Sequence, residues 1–229
     1  MKDIVPGSVS TAESIVAKLT DAVHAHRVLP GMKLSEDEVG DVFGVSRTLV
    51  RQALRSMAHS GLVTIERNRG AFVSKPSIKE AREVFEARAL LEPQTARAAA
   101  ERATPEDLLL LEEHIEKEHA ALNAGEAGAA LNLSGLFHVE IARVANQKTI
   151  EAFIQQLVSR SSLVIALYWQ RRTALCESHA HHALLDAFRR NDADEAEELM
   201  KGHFVDLVSQ LNLREVPEAT RSLRDALLG

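Results

Sequence analysis

Three arginines recur at every fourth position of the segment S-R-T-L-V-R-Q-A-L-R, at Arg47, Arg51 and Arg55. On an α-helix this spacing puts them on one face, where like charges repel and do not favour folding. A polyanion lying against that face would explain them, because phosphates neutralise guanidinium groups. The other face carries apolar residues at helical spacing, namely Val50, Ala53, Leu54 and Met57. The segment therefore predicts a helix that binds duplex DNA, and the alternative is a solvated charged face.

The residues before this helix predict a second, shorter helix that positions it. Ser35 begins S-E-D-E, which is typical of a capping box closed by Glu38, and Val39, Val42 and Phe43 supply an apolar face. Gly44 supplies a left-handed turn, and Ser46 is expected to cap the arginine-bearing helix. Together these signals predict a helix-turn-helix.

The residues after the arginine-bearing helix predict a β-hairpin. The runs L-V-T-I-E and A-F-V flank a turn made of Arg67, Asn68, Arg69 and Gly70. Strand, cationic turn and strand form a wing, and Met32 to Leu34 can add a third strand. The segment from Arg47 to Lys75 holds six basic residues and one acidic residue, which favours nucleic acid as its partner.

The run V-S-R-T-L-V-R-Q-A-L-R-S-M-A-H-S-G-L-V-T-I, followed by N-R-G-A-F-V, resembles the DNA-binding domain of the GntR family of bacterial repressors. The resemblance implies that Arg47 and Arg51 contact the operator, with Ser46 and Thr48 assisting. It also implies that Gly70 and its neighbours in the wing reach the minor groove. This chain departs from the family at Asp37, where arginine is frequent.

Length and composition fit one large or two ordinary domains, and they predict a protein that works inside the cell. The 229 residues are 45% hydrophobic, and the net charge of -6 is unevenly distributed. Residues 1–76 hold 10 basic and 8 acidic residues, and the remainder holds 17 and 25. Cys176 is the only cysteine, which excludes an intramolecular disulfide and predicts an inert thiol in a reducing cytoplasm. The start of the chain lacks a signal-peptide core, and the longest apolar run, 163–169, is too short for a membrane helix.

The remainder of the chain predicts a helical bundle. The proline-containing segment 73–77 separates a winged helix-turn-helix domain at 1–76 from an all-helical domain at 77–229. Periodicity and caps predict helices near 11–27, 78–102, 104–123, 128–144, 147–169, 173–190 and 191–213, with a short one around 219–227. Short connections imply an antiparallel bundle, so the expected fold is mainly α.

Histidines in this second region form a pattern of their own. His138 lies in L-F-H-V-E-I-A, His181 in S-H-A-H-H-A-L-L-D-A-F, and His203 in M-K-G-H-F-V-D-L. With E-A-R-A-L-L-E-P, these segments resemble the FCD-type effector domain of the FadR-like branch of the GntR family.

In metal-binding members of that branch, three histidines and an aspartate hold one divalent ion. The resemblance therefore implies His138, His181 and His203 as ligands, with Ser134 at the aspartate's position. Neutral imidazole suits zinc best, although nickel or another divalent ion is possible. The remaining bundle histidines, His114, His119, His179 and His182, are expected to be surface residues.

Two interpretations of Arg88 remain open. It lies four residues before Glu92, so the pair forms a salt bridge on a helix. The resemblance implies instead that Arg88 faces the pocket and binds a carboxylate through both guanidinium edges. Arg160 and Tyr168 are further candidates for effector binding, although surface positions on a helix explain them equally well.

These patterns predict a ligand-responsive DNA-binding transcription regulator and no enzyme. A homodimer would place two recognition helices on a palindromic operator, and a small organic acid in the metal-containing pocket would release the repressor. One alternative is a three-histidine metalloenzyme, which leaves the arginine-bearing helix unexplained. The other is a non-specific architectural DNA-binding protein, which the acidic helical region disfavours.

Overall fold

The structure is a computed structural model, and it describes residues 11–169 and 175–214, apart from the side chains of residues 175–178. The predicted short helix near 219–227 and the thiol of Cys176 lie outside the described part. The amino-terminal domain follows the predicted order of elements. These are α1 (Ala12–His24), β1 (Lys33–Leu34), α2 (Glu36–Phe43), α3 (Arg47–His59), β2 (Val63–Glu66) and β3 (Gly70–Val73).

The helix-turn-helix forms largely as its sequence predicts. Gly44 ends α2 with φ +65°, and the Ser46 hydroxyl accepts a hydrogen bond from the backbone N–H of Leu49 at the start of α3. Two predictions were wrong. Ser35 begins α2 without a side-chain capping bond, so the capping box is absent there. Val42 is 65% exposed, because it lies on the side of the short α2 that turns away from the core.

The wing is part of a three-stranded antiparallel sheet. The strand order is β1-β3-β2, with Lys33 opposite Phe72 in one pair and Glu66 opposite Gly70 in the other. The predicted third strand at Met32 to Leu34 is thus confirmed at its last two residues.

The remaining described helices form the bundle, and their bounds lie within a few residues of the prediction at most ends. They are α4 (Ile78–Ala100), α5 (Pro105–Asn123), α6 (Ala127–Val144), α7 (Lys148–Tyr168), α8 (Leu175–Arg189) and α9 (Ala193–Ser209). Ser77 and Thr104 close capping boxes at the starts of α4 and α5. Helix α9 ends before the predicted residue 213, because Leu211 forms a bridge with Trp169 and Asn212 bonds the Tyr168 carbonyl.

Each domain has its own buried core, and one residue of the bundle joins the core of the other domain. The bundle core is built on Phe137, Phe188 and Phe204 with aliphatic and alanine side chains around them. The winged domain packs Ile15, with its neighbours on α1, against α3 and the sheet. Leu163 of α7 belongs to this second cluster and is 1% exposed, so the two domains share apolar contact.

Helix α7 has a length and composition that would also permit a membrane span. In the fold it packs against α4 and α6, and its residues Ile154, Val158 and Val164 are buried in the protein. Its apolar character therefore has an explanation in bundle packing.

Candidate nucleic-acid interface and metal centre

The recognition helix α3 presents the predicted basic face to solvent. Arg47, Thr48, Arg51 and Arg55 are exposed, whereas the apolar residues Val50, Ala53, Leu54 and Met57 on the other face are buried. Two acidic residues at the start of α2 contact this face. Asp37 lies 2.5 Å from Nε of Arg47, and both carboxylate oxygens of Glu36 accept from Nε of Arg51 at 2.8 Å. The hydrogen bond from Arg51 lowers the pKa of Glu36. The carboxylates occupy positions that phosphates could take.

The wing turn places its cationic residues at an exposed tip. Asn68 has φ +63° and Gly70 has φ +107°, which allows the chain to reverse within a short turn. Arg67 and Arg69 are exposed, and Arg69 pairs with Glu66 and stacks 5.5 Å from the ring centre of Phe72. All nine residues predicted for DNA contact thus lie at the exposed N-terminus and face of α3 or in the wing turn.

Three histidines from three helices meet inside the bundle. His138 of α6, His181 of α8 and His203 of α9 are buried, and one ring nitrogen from each lies within 4.8 Å of the others. The centres of the three rings are 5.1 to 5.5 Å apart. Residues that are 65 positions apart in sequence, from 138 to 203, are brought together because α6, α8 and α9 pack around one core. This group has the donor set of a divalent-metal site.

Two buried glutamates orient the rings of this triad. Oε2 of Glu118 on α5 lies 2.9 Å from Nδ1 of His181, so we assign the ring proton to Nδ1. Nε2 of His181 is then an acceptor, and it is buried without a hydrogen-bond partner among the described residues. Oε2 of Glu92 lies 2.6 Å from Nδ1 of His138. An outer carboxylate that orients a histidine is typical of metal sites.

Burial keeps the triad in the protonation state that a metal requires. It lowers the pKa of His181 to about 3, and it also lowers the pKa values of His138 and His203. Burial raises the pKa of Glu118 to about 7. The three imidazoles are therefore neutral at neutral pH, and neutral imidazole is the metal-ligating form. An orphaned buried nitrogen and three neutral donors fit a bound cation.

A cavity opens beside the triad, and Arg88 lies in its wall. The cavity is small, at about 30 Å³, and the space within its walls reaches about 460 Å³ when the solvent at its mouth is included. His138, His203 and Arg88 line it together with Ser134. Arg88 donates from Nε and Nη2 to the carboxylate of Glu92 and from Nη1 to the hydroxyl of Ser161. The two interpretations of Arg88 are thus compatible, because it pairs with Glu92 and still lines the cavity. Burial raises the pKa of Glu92, but the charge and hydrogen bonds of Arg88, together with the contact with His138, outweigh this effect and bring the pKa to about 2.

The other two candidates for effector binding lie elsewhere. Arg160 packs its side chain over Gly61 at the end of α3, and the Tyr168 hydroxyl donates to the Pro76 carbonyl at 2.8 Å. Both residues are at the junction of the two domains, outside the wall of the cavity beside the triad. Their neighbours on α7, Ser161 and Ser162, line that cavity instead, since one helical residue turns the side chain by about 100°.

Several residues of the site were absent from the sequence prediction. Glu118 is found only through its contact with His181, and a buried glutamate in an exposed-looking acidic helix has no local sequence signal. His24 and His26, at the end of α1, also line the cavity. Of the histidines predicted at the surface, His179 is exposed, whereas His114 bonds the Leu133 carbonyl at 2.7 Å. His119 stacks on His182 with ring centres 4.9 Å apart.

Comparison with known proteins agrees with both regions. The family model for the FCD domain matches residues 83–206, and the model for bacterial regulatory proteins of the gntR family matches residues 11–73. Domains of the FCD type bind metals, which agrees with the histidine triad.

Curated relatives are transcription regulators. The transcriptional repressor RspR of Escherichia coli strain K12 is 28% identical over 207 residues, which cover 89% of this chain and 86% of that protein. The galactonate operon transcriptional repressor of the same strain is 26% identical over 215 residues, which cover 83% of this chain and 92% of that protein. Neither relative is described as an enzyme, so the metalloenzyme alternative is not favoured.

Solved structures show the same fold. The alignment with the structure of E. coli McbR/YncC covers 88% of this chain and 97% of that protein's chain, with a TM-score of 0.78 and 22% identity. A GntR structure from Rhodococcus sp. RHA1 covers 87% of this chain and 96% of its own, with a TM-score of 0.76 and 23% identity. Since the FCD model spans more than half of the sequence and the gntR model spans the winged region, this chain belongs to the GntR family of bacterial regulatory proteins, in the branch with an FCD domain, and is a DNA-binding transcription regulator.

Proposed function

We propose that this regulator is a repressor that leaves its operator when a small organic acid binds beside a metal ion in the bundle. The observation that carries the proposal is the shared cavity, which two histidines of the triad and Arg88 line together. A cation and a guanidinium group beside the same space suit a carboxylate, because both interact with its negative charge. As a regulator of bacterial DNA, the protein would act in the cytoplasm.

The operator would be bound by α3 and the wing. Arg47, Arg51 and Arg55 would contact bases and phosphates in the major groove, with Ser46 and Thr48 at the helix N-terminus beside them. The wing residues Arg67, Asn68, Arg69 and Gly70 would follow the adjacent minor groove. The carboxylates of Glu36 and Asp37 would have to release Arg51 and Arg47 when DNA binds. The affinity for the operator would therefore depend on the strength of these two ion pairs.

The metal ion would be zinc, held by His138, His181 and His203. Three imidazole donors leave an open position, and a bound zinc ion supplies a Lewis-acidic site for a carboxylate oxygen. Glu118 holds the ring of His181 from behind and leaves Nε2 for the ion. Ser134, at 7% exposure, lines the cavity at the position of the family's aspartate and supplies a neutral oxygen where that residue supplies a charge.

Arg88 would bind the effector's carboxylate. Glu92 and Ser161 accept from three of its N–H groups, and a guanidinium has five. Within the described part of the chain, these bonds leave one N–H on each terminal nitrogen. Glu92 fixes the plane of the guanidinium group, so little side-chain freedom is lost when the acid binds.

A second copy of the chain would complete the regulator. An apolar groove between α4 and α9 is lined by Phe85, Ala89, Val205, Val208 and Leu213, and Val205 is 70% exposed. A palindromic operator requires two recognition helices related by a twofold axis, which is why we propose a second copy as the occupant. Analytical ultracentrifugation tests this interface. It would be supported if the wild type sediments as a dimer and Val205→Asp sediments as a monomer.

The effector proposal is tested by thermal unfolding of the full chain with a panel of organic acids. Zinc-loaded and chelator-treated protein are compared. An acid that raises the melting temperature only when zinc is present supports the joint site. Stabilisation that does not depend on zinc would contradict the metal's role and leave Arg88 as the binding group.

A further inference from the structure

The DNA-binding domain supplies part of the wall of the effector cavity. His24 is the last residue of α1, and it lines the cavity together with Arg88, His138 and His203. We propose that His24 binds the distal polar group of the effector, so that the winged domain contacts the bound effector directly. This inference rests on the proposed effector function of that cavity.

His24 is held in this position by direct contacts between the domains. The carbonyl oxygen of Ala25 lies so close to α6 that a Cβ atom at Gly128 would be 2.0 Å from it. Nε2 of His26 lies 3.2 Å from the carbonyl oxygen of Ser162 on α7. Leu163, beside Ser162, packs in the core of the winged domain. The two residues directly after His24 therefore contact α6 and α7.

The ring of His24 has an unused polar atom inside the protein. The residue is 7% exposed, and its Nε2 has no hydrogen-bond partner among the residues that the structure describes. Burial lowers the pKa of His24, and a side-chain hydrogen bond with Asn132 of α6 acts in the opposite direction. A buried ring nitrogen without a partner costs free energy, and a ligand that supplies a partner recovers it.

The position of this nitrogen defines the class of effector. The metal and Arg88 would bind the carboxylate, and Nε2 of His24 would meet a second group farther along the molecule. A neutral imidazole donates or accepts one hydrogen bond, which suits a hydroxyl group or a second carboxylate. The hydroxyl groups of Ser134, Ser161 and Ser162 make the same wall polar. The expected effector is thus a hydroxy acid or a dicarboxylate.

The contact would also transmit the signal. Helix α1 packs through Ile15, Leu19 and Val23 in the same buried cluster as Val50 and Leu54 of α3. A ligand that repositions His24 therefore moves an element that is rigidly joined to the recognition helix. The ligand releases DNA only if it binds more tightly in the geometry that does not fit the operator.

Calorimetric titration of the zinc-loaded full chain tests the inference with four-carbon acids. Butyrate carries one carboxylate, and 4-hydroxybutyrate, succinate and malate add a second polar group. We expect the wild type to bind at least one of these three at least tenfold more tightly than butyrate. His24→Ala should abolish this preference and leave butyrate binding intact. His179→Ala, an exposed histidine on α8, serves as the control and should behave as the wild type.

The results of this titration distinguish a failure of the role of His24 from a failure of the proposed effector function. A preference that survives in His24→Ala would overturn the role of His24 and leave the effector site standing. Equal binding of all four acids by the wild type would overturn the effector class. If no acid binds, the proposed function fails.

The position of His24 is then decided separately, in wild-type protein with ¹³C-labelled histidine. A nuclear Overhauser effect between its ring and the Asn132 amide supports the shared wall, and its absence refutes it. This measurement also applies if His24→Ala does not fold.

Discussion

The backbone of Ala25 in the DNA-binding domain rests directly on Gly128 of the bundle, where a single added carbon would lie 2.0 Å from the Ala25 carbonyl oxygen. Only glycine permits this approach. The contact lies one residue after His24, which lines the cavity, so the two domains approach each other closely beside it. A movement within the bundle would therefore be transmitted through this contact to the domain that carries the recognition helix.

Gly128→Ala should separate the domains. Because the clash is with backbone, α1 or α6 has to shift, and overpacking of this kind costs about 1–3 kcal/mol. Gly202→Ala on α9 is the matched control, since nothing lies within 4 Å of a Cβ atom at that position. This control should be as stable as the wild type or more stable by up to about 1 kcal/mol. Urea unfolding measures both, and equal stability of the two variants would argue against tight docking.

Arg51→Ala should weaken binding to the operator without changing the fold. Loss of one base contact costs about 1–3 kcal/mol, which corresponds to roughly fivefold to 150-fold in affinity. Lys79→Ala removes an exposed positive charge from α4 and should bind as the wild type does. Fluorescence anisotropy with an operator selected from random duplexes measures both affinities. Undiminished binding by Arg51→Ala would mean that α3 does not face DNA as proposed.

His181→Ala should remove the metal site. A ligand at a hundred times its Kd stabilises a protein by about 2.7 kcal/mol, so saturating zinc should raise the free energy of unfolding by about that amount in the wild type. The increase should vanish in His181→Ala and persist in His179→Ala. Elemental analysis of dialysed protein gives the zinc content directly. A full zinc content in His181→Ala would show that the triad is not the site.

Arg88→Lys should abolish acid binding and retain the fold. Lysine keeps a positive charge beside the buried carboxylate of Glu92 but lacks the planar pair of donors that binds a carboxylate. Arg160→Lys is the matched control, because Arg160 lies at the domain junction. Thermal shifts of both zinc-loaded variants with the acid panel compare the two sites. An unchanged response in Arg88→Lys together with a lost response in Arg160→Lys would move the effector site to the junction.

Local signals in the sequence were sufficient for most of the fold. Glycine at the turn, serine at the start of α3 and the arginine spacing predicted the helix-turn-helix, and helical periodicity predicted the bundle. Resemblance to the family selected His138, His181 and His203, and the structure brings these three together.

Long-range packing determined what the sequence did not reveal. Glu118 lies 63 residues from the histidine that it orients, and His24 reaches the cavity only because α1 docks on α6. The sequence predicts Arg160 and Tyr168 as candidates for effector binding, but their position around α7 turns them toward the winged domain. The docking itself depends on Gly128, whose role appears only when the opposing backbone is known.

Operator affinity with and without effector tests the central claim most directly. Zinc-loaded protein is titrated against its operator in the presence of the acid that stabilises it most. Saturating acid is expected to raise the Kd for DNA at least tenfold in the wild type and much less in Arg88→Lys and His24→Ala. A Kd that saturating, demonstrably bound acid leaves unchanged would contradict the claim, because the cavity would then not control DNA binding.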